Sequence, residues 1–222
     1  MTTNAATKRA NRAKTCVVGT AETGSSAVLV TLTRPSELLE RRTIELVDAG
    51  LSSHPHHHEG SWAMGRYLHS PWARAVTLDE ALALVERVRV CAERRARAQL
   101  TELDKLAPGG IRRIALRQCQ PVPASVEAAI ADARVQTYAD SVMYRRALAS
   151  AAEELGWEVV WYERDAVANA AQTALGKTSL NTCLAELGRS AGKPWQALHK
   201  LAATAAIAAF AGPESPRTKS AL

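Results

Sequence analysis

The sequence predicts an α/β protein with one mixed sheet of five strands and helices on its faces. Three observations lead there. The first fifty residues hold three short apolar runs separated by tight-turn signals, which reads as an antiparallel meander. From Thr77 onward apolar residues recur at helical spacing for many turns. Two later strand-like runs each follow a helical stretch, as parallel strands require for their crossovers.

Taken in order, Thr15-Cys16-Val17-Val18-Gly19 reads as a buried strand that ends in the turn Glu22-Thr23-Gly24-Ser25-Ser26. A second strand follows from Ala27 to Thr33, and Arg34-Pro35-Ser36 turns the chain into a third from Glu40 to Val47. Residues 48–76 show neither period and form a long loop rich in His, Gly, Ser and Pro, to be pinned by its own aromatics or mobile. Thr77-Leu78-Asp79-Glu80 is a capping box that opens a helix of about eight turns, stopped by Pro108-Gly109-Gly110. Ile111–Cys119 is the fourth strand. Helix returns from Ser125 to Leu155 with a break near Tyr138-Asp140, Gly156 caps it, and Trp157–Tyr162 is the fifth strand. Helical pieces at Ala166–Leu175 and Leu180–Leu187, each closed by a glycine, precede an alanine-rich helix starting at Pro194. The expected organisation is a basic tail at 1–14, a single domain at 15–211 and a polar tail at 212–222.

Composition narrows the class of protein. With 47% hydrophobic and 23% charged residues among 222, the chain can bury a sizeable core and is not a disordered polymer. No apolar run approaches the roughly 20 residues that cross a bilayer. Four scattered cysteines without a CxxC pair suit reduced thiols in a cytoplasm. The net charge is +6, and residues 61–120 carry eleven Lys/Arg against six Asp/Glu. Such a basic segment can hold phosphates without reading base sequence, so DNA or RNA is the expected partner. A solvated arginine face, or an acidic protein partner, accounts for the same surplus. Arg87, Arg94 and Arg97 fall off the apolar stripe of the long helix and are the candidate nucleic-acid contacts.

The order of three meandering strands, a long helix, a strand, a helix, a strand and a terminal helix resembles the RNase H-like superfamily, in its Holliday-junction-resolvase-like branch, over residues 15–211. The resemblance implies carboxylates on the first strand, the fourth strand and the last helix, holding two divalent metals for phosphodiester cleavage. In Val17-Val18-Gly19-Thr20-Ala21-Glu22-Thr23-Gly24 the position of the first acid is Ala21, with Glu22 one place late. A one-residue shift turns a strand side chain to the other face unless the turn has begun. In Ile114-Ala115-Leu116-Arg117-Gln118 the acid position is Arg117, which cannot bind a metal. In Leu198-His199-Lys200-Leu201-Ala202-Ala203 only His199 offers a ligand, and Ala202 offers none. The expectation is therefore a nucleic-acid-associated protein without the conventional two-metal nuclease site and with no cofactor.

The alternative is a metal-dependent hydrolase that rebuilds its site from Glu22, His199 and the cluster His54, His56, His57, His58 and Glu59. Imidazoles and a carboxylate suit zinc, manganese or iron, although the spacing follows no metal motif. The competing reading is a polar loop whose histidines pack on Trp62 or Trp72. A third function class is an interaction scaffold. Gly176-Lys177-Thr178 is not a phosphate-binding loop, because Ala171 stands where its first glycine belongs.

Overall fold

A computed structural model describes residues 16–71 and 74–211. The terminal tails expected at 1–14 and 212–222, together with Trp72, lie outside the described residues. The sheet is built first from β1 (Cys16–Thr23), β2 (Ser26–Arg34) and β3 (Glu37–Glu45), each antiparallel to the one before. β4 (Ile111–Arg117) and β5 (Glu158–Tyr162) extend it, parallel to β1, in the order β3-β2-β1-β4-β5. This is the mixed five-stranded sheet that the sequence predicts.

Seven helices flank it among the described residues: α1 (His58–Ala63), α2 (Leu78–Leu106), α3 (Val126–Ala131), α4 (Gln136–Glu154), α5 (Val167–Leu175), α6 (Leu180–Ala191) and α7 (Ala197–Phe210). Period-two alternation in β1 sorts its side chains between two cores. Cys16 and Val18 face α2 and α4, packing with Leu29, Ile114, Leu116, Leu100 and Leu148. Val17 and Ala21 face α7, packing with Val30, Ala115, Ala202 and Ala206. α2 starts where its capping box places it, with Thr77 Oγ1 accepting from the Glu80 amide at 3.2 Å and Glu80 accepting from the Thr77 amide at 2.8 Å.

Several boundaries differ from the sequence reading, each for a physical reason. β1 runs on to Thr23, because Ala21, Glu22 and Thr23 pair with Val28, Ala27 and Ser26. The break between α3 and α4 falls at 132–135 and not at Tyr138-Asp140. Asp132 accepts from the amides of Arg134 and Val135 and so restarts the chain as α4. Gly188 does not end α6. A Cβ there would lie 2.6 Å from Trp195, so this glycine makes room for the indole, and the positive-φ cap is Gly192. α7 begins at Ala197, not Pro194, with the Gln196 amide donating to His199 Nδ1.

Candidate functional site

The positions that the resemblance assigns to catalytic acids meet on the α7 face of the sheet. Ala21 and Ala202 are buried in one cluster with Ala115, and Arg117 follows Ala115 by two residues on the same face of β4. α7 crosses β1 so closely that a Cβ on Gly19 would sit 1.9 Å from the Ala202 carbonyl oxygen and 2.4 Å from the Ala206 nitrogen. Two methyl groups and a guanidinium supply no negative oxygen, so these residues do not fit a pair of divalent ions, whose mutual repulsion needs anionic ligands.

Glu22 does not substitute for an acid at 21. Because β1 continues to Thr23, Glu22 faces the opposite side of the sheet, towards α4. There Arg145 Nε donates to its Oε2 at 3.2 Å, with both side chains buried. Thr20 Oγ1 stands 2.9 Å from both Glu22 Oε1 and the Ala115 carbonyl oxygen. A carboxylate in such a pair balances a buried charge and is not free to bind metal. Of Tyr144, Arg145 and Arg146 on α4, Arg146 is exposed, whereas Tyr144 and Arg145 are buried. The signal in the sequence is an acid on an otherwise apolar strand, which needs a buried cation as partner.

His199 lies on the other side of the sheet from Glu22. It is buried at the start of α7, 3.3 Å from Arg41 of β3 through Nε2, with its ring 5.8 Å from that of Trp195. Burial, reinforced by the Arg41 charge, holds its pKa below the ordinary histidine value. Arg41 also donates to the carbonyls of Ala191 and Lys193, so this cluster fastens the α6–α7 connection to the sheet edge. Glu22 and His199 therefore do not converge.

The histidine loop is pinned, chiefly by α4. The Asp140 carboxylate accepts from His56 Nδ1 at 2.8 Å and from the amides of His56 and His57 at 3.0 and 3.2 Å. Tyr144 donates its hydroxyl to the Ser53 carbonyl at 2.8 Å, and Ser61 Oγ lies 2.6 Å from the Gln136 side-chain amide. Burial and the nearby Asp140 charge raise the Tyr144 pKa, so the phenol stays a donor. His54, His57 and His58 form a chain of ring contacts at 5.3 and 5.4 Å, His58 stacks on Trp62, and Glu59 accepts from Ser52. Burial and the neighbouring imidazoles depress the His57 pKa. Among the described residues, no three His, Cys, Asp or Glu side chains are grouped to hold a metal ion.

Of the α2 arginines, Arg94 is paired with Asp48 and Arg97 with Glu154, while Arg87 is exposed. Such exposed pairs contribute about 0.2–1 kcal/mol and open readily. A second group of arginines stands where β4 and β5 end. Arg117, Arg145 and Arg164 all act electrostatically on the buried Tyr162 phenol, opposing the rise in pKa that burial and Glu22 impose. Arg145 and Arg146 likewise oppose the rise that burial imposes on Cys119. Tyr162 donates to the Thr20 carbonyl at 2.8 Å and ties β5 to β1 at this end. No helix among the described residues is long and apolar enough to cross a membrane.

No protein-family model and no curated protein matches the chain. Solved structures do resemble it. Thermus thermophilus RuvC in complex with a Holliday junction substrate is 14% identical, with a TM-score of 0.45 over 88% of this chain and 92% of that one. A second Thermus thermophilus RuvC structure is 13% identical, with a TM-score of 0.43 over 88% and 93%.

Proposed function

We propose that this protein binds nucleic acid through phosphate contacts at the carboxyl ends of the parallel strands and does not cleave it by two-metal catalysis. The observation that carries the reading is the exchange of charge at this end of the sheet. Arg117 ends β4 at an acid position of the resemblance, the exposed Arg164 lies within electrostatic reach of the Tyr162 phenol beside it, and Ala21 and Ala202 stand at the other two acid positions. Guanidiniums fit phosphate oxygens as carboxylates fit metals, so one location on the sheet serves the backbone directly. The overall charge of +6 adds a weaker, longer-range attraction. The setting is cytoplasmic, in keeping with scattered cysteines that form no CxxC pair.

The test is retention of single-stranded and duplex DNA, of RNA, and of a four-way junction, the substrate with which the Thermus thermophilus RuvC structure was solved, across a salt series. Binding should weaken steeply with salt, and replacing both Arg117 and Arg164 by Glu should lower the log–log salt slope by about 0.7–0.9 for each phosphate no longer neutralised. Arg87→Glu/Arg94→Glu/Arg97→Glu should have the smaller effect, because two of those arginines are already paired. A folded parent that retains no nucleic acid at low salt would leave the scaffold reading. Cleavage with magnesium or manganese that disappears in Glu22→Gln or His56→Asn would instead establish the hydrolase.

A further inference from the structure

A cavity of about 330 Å³ lies between α2, α4 and the segment that leads into α3. Val85, Val122, Pro123, Val126 and Met143 form apolar walls, and His56 and Arg146 are among its polar lining. His56 is 6% exposed and belongs to the loop that α4 holds in place. Its Nδ1 is 2.8 Å from Asp140 Oδ1, which places the hydrogen of the neutral ring on Nδ1 and leaves Nε2 as an acceptor without a hydrogen-bond partner among the described residues. Arg89, also at the cavity, is already satisfied by Glu86 and Glu93. Arg146 is exposed and has no carboxylate partner among the described residues. Along α4, Arg146 stands six residues beyond Asp140, a rise of roughly 9 Å.

We infer that this cavity is a binding site for a small organic monoanion with a compact apolar body. An N–H or O–H at one end donates to His56 Nε2, and a carboxylate at the other meets Arg146. The volume lies at the small end of ligand pockets, the walls are apolar, and the two polar anchors stand at separate places, as a site that orients its ligand requires. Arg89 is taken up by Glu86 and Glu93, so the guanidinium left at the cavity to meet an anion is Arg146. This inference is independent of nucleic-acid binding, whose arginine variants leave the cavity lining untouched.

Indole-3-propionate is the probe, because its ring N–H and its carboxylate sit at opposite ends of an apolar body. Titration calorimetry with the full chain should detect its binding at concentrations up to about 1 mM. Capping the donor in 1-methylindole-3-propionate, or removing the charge in indole-3-propanamide, should weaken binding about tenfold. Arg146→Ala should weaken the propionate by a similar factor and leave the propanamide unchanged. Val122→Trp fills the cavity from a loop and should abolish binding while circular dichroism stays native. Using the N-methyl probe for the His56 contact avoids a His56 variant, which would also unpair Asp140. Absence of binding to the folded parent overturns the site, and so does equal binding by the Val122→Trp protein or indifference to the N-methyl group and the charge.

Discussion

The two faces of the sheet solve the same packing problem with opposite chemistry. On the α2/α4 face, large side chains such as Leu100, Leu148 and Tyr144 fill the space, and the buried charge of Glu22 is matched by Arg145. On the α7 face the fill is alanine, with Ala202, Ala203, Ala205, Ala206 and Ala209 letting the helix backbone approach Gly19. The ionisable residues that look like candidate chemistry are largely consumed by structure on the first face. The second face carries the acid positions of the resemblance and has methyl groups at two of them.

The largest expected effect breaks the close approach. Gly19→Ala puts a Cβ into the Ala202 carbonyl and the Ala206 nitrogen, which are backbone atoms that cannot rotate away. The expected cost is about 3 kcal/mol or more, the upper end of overpacking, read as a large drop in the denaturation midpoint. Leu148→Met, buried on the opposite face, should cost under about 1.5 kcal/mol because side chains there can repack. Similar losses from both substitutions would erase the distinction between the faces.

Comparable in size is the effect of breaking the buried pair. Arg145→Met leaves Glu22 uncompensated and should destabilise by about 3–5 kcal/mol, whereas the double variant with Glu22→Gln should recover much of that loss. A double-mutant cycle with no coupling energy would show that Glu22 is not held by Arg145 and would reopen its availability as a ligand.

The smallest effect is a pH dependence on the α7 face. The His199 pKa is lower in the folded state than in the unfolded chain, so its neutral form is favoured by folding. Its contribution is fully present above the unfolded value of about 6.5 and is lost as pH falls towards the depressed folded value. The parent should therefore lose stability between about pH 7 and pH 5 more steeply than His199→Gln does. Identical slopes in urea denaturation across that range would refute the assignment.

The sequence by itself determined the five strands, the long helix and their order, because periodicity, capping boxes and turn residues are local signals. Thr77 to Glu80 opens α2 as read, and the five strands appear in the expected sequence. Tertiary structure alone decided which candidates meet. Strand pairing carries β1 past Glu22, and that single register fact sends the carboxylate to Arg145 and away from Ala21. α1 was hidden inside a loop without periodicity, since six residues are too few to show a helical stripe and its entry is fixed by Asp140, more than 80 positions away. Gly188 reads as a helix stop because a glycine that receives an indole and a glycine that caps a helix are the same letter. Local pattern fixes backbone preference, whereas the partner of a buried charge depends on which distant segment folding brings against it.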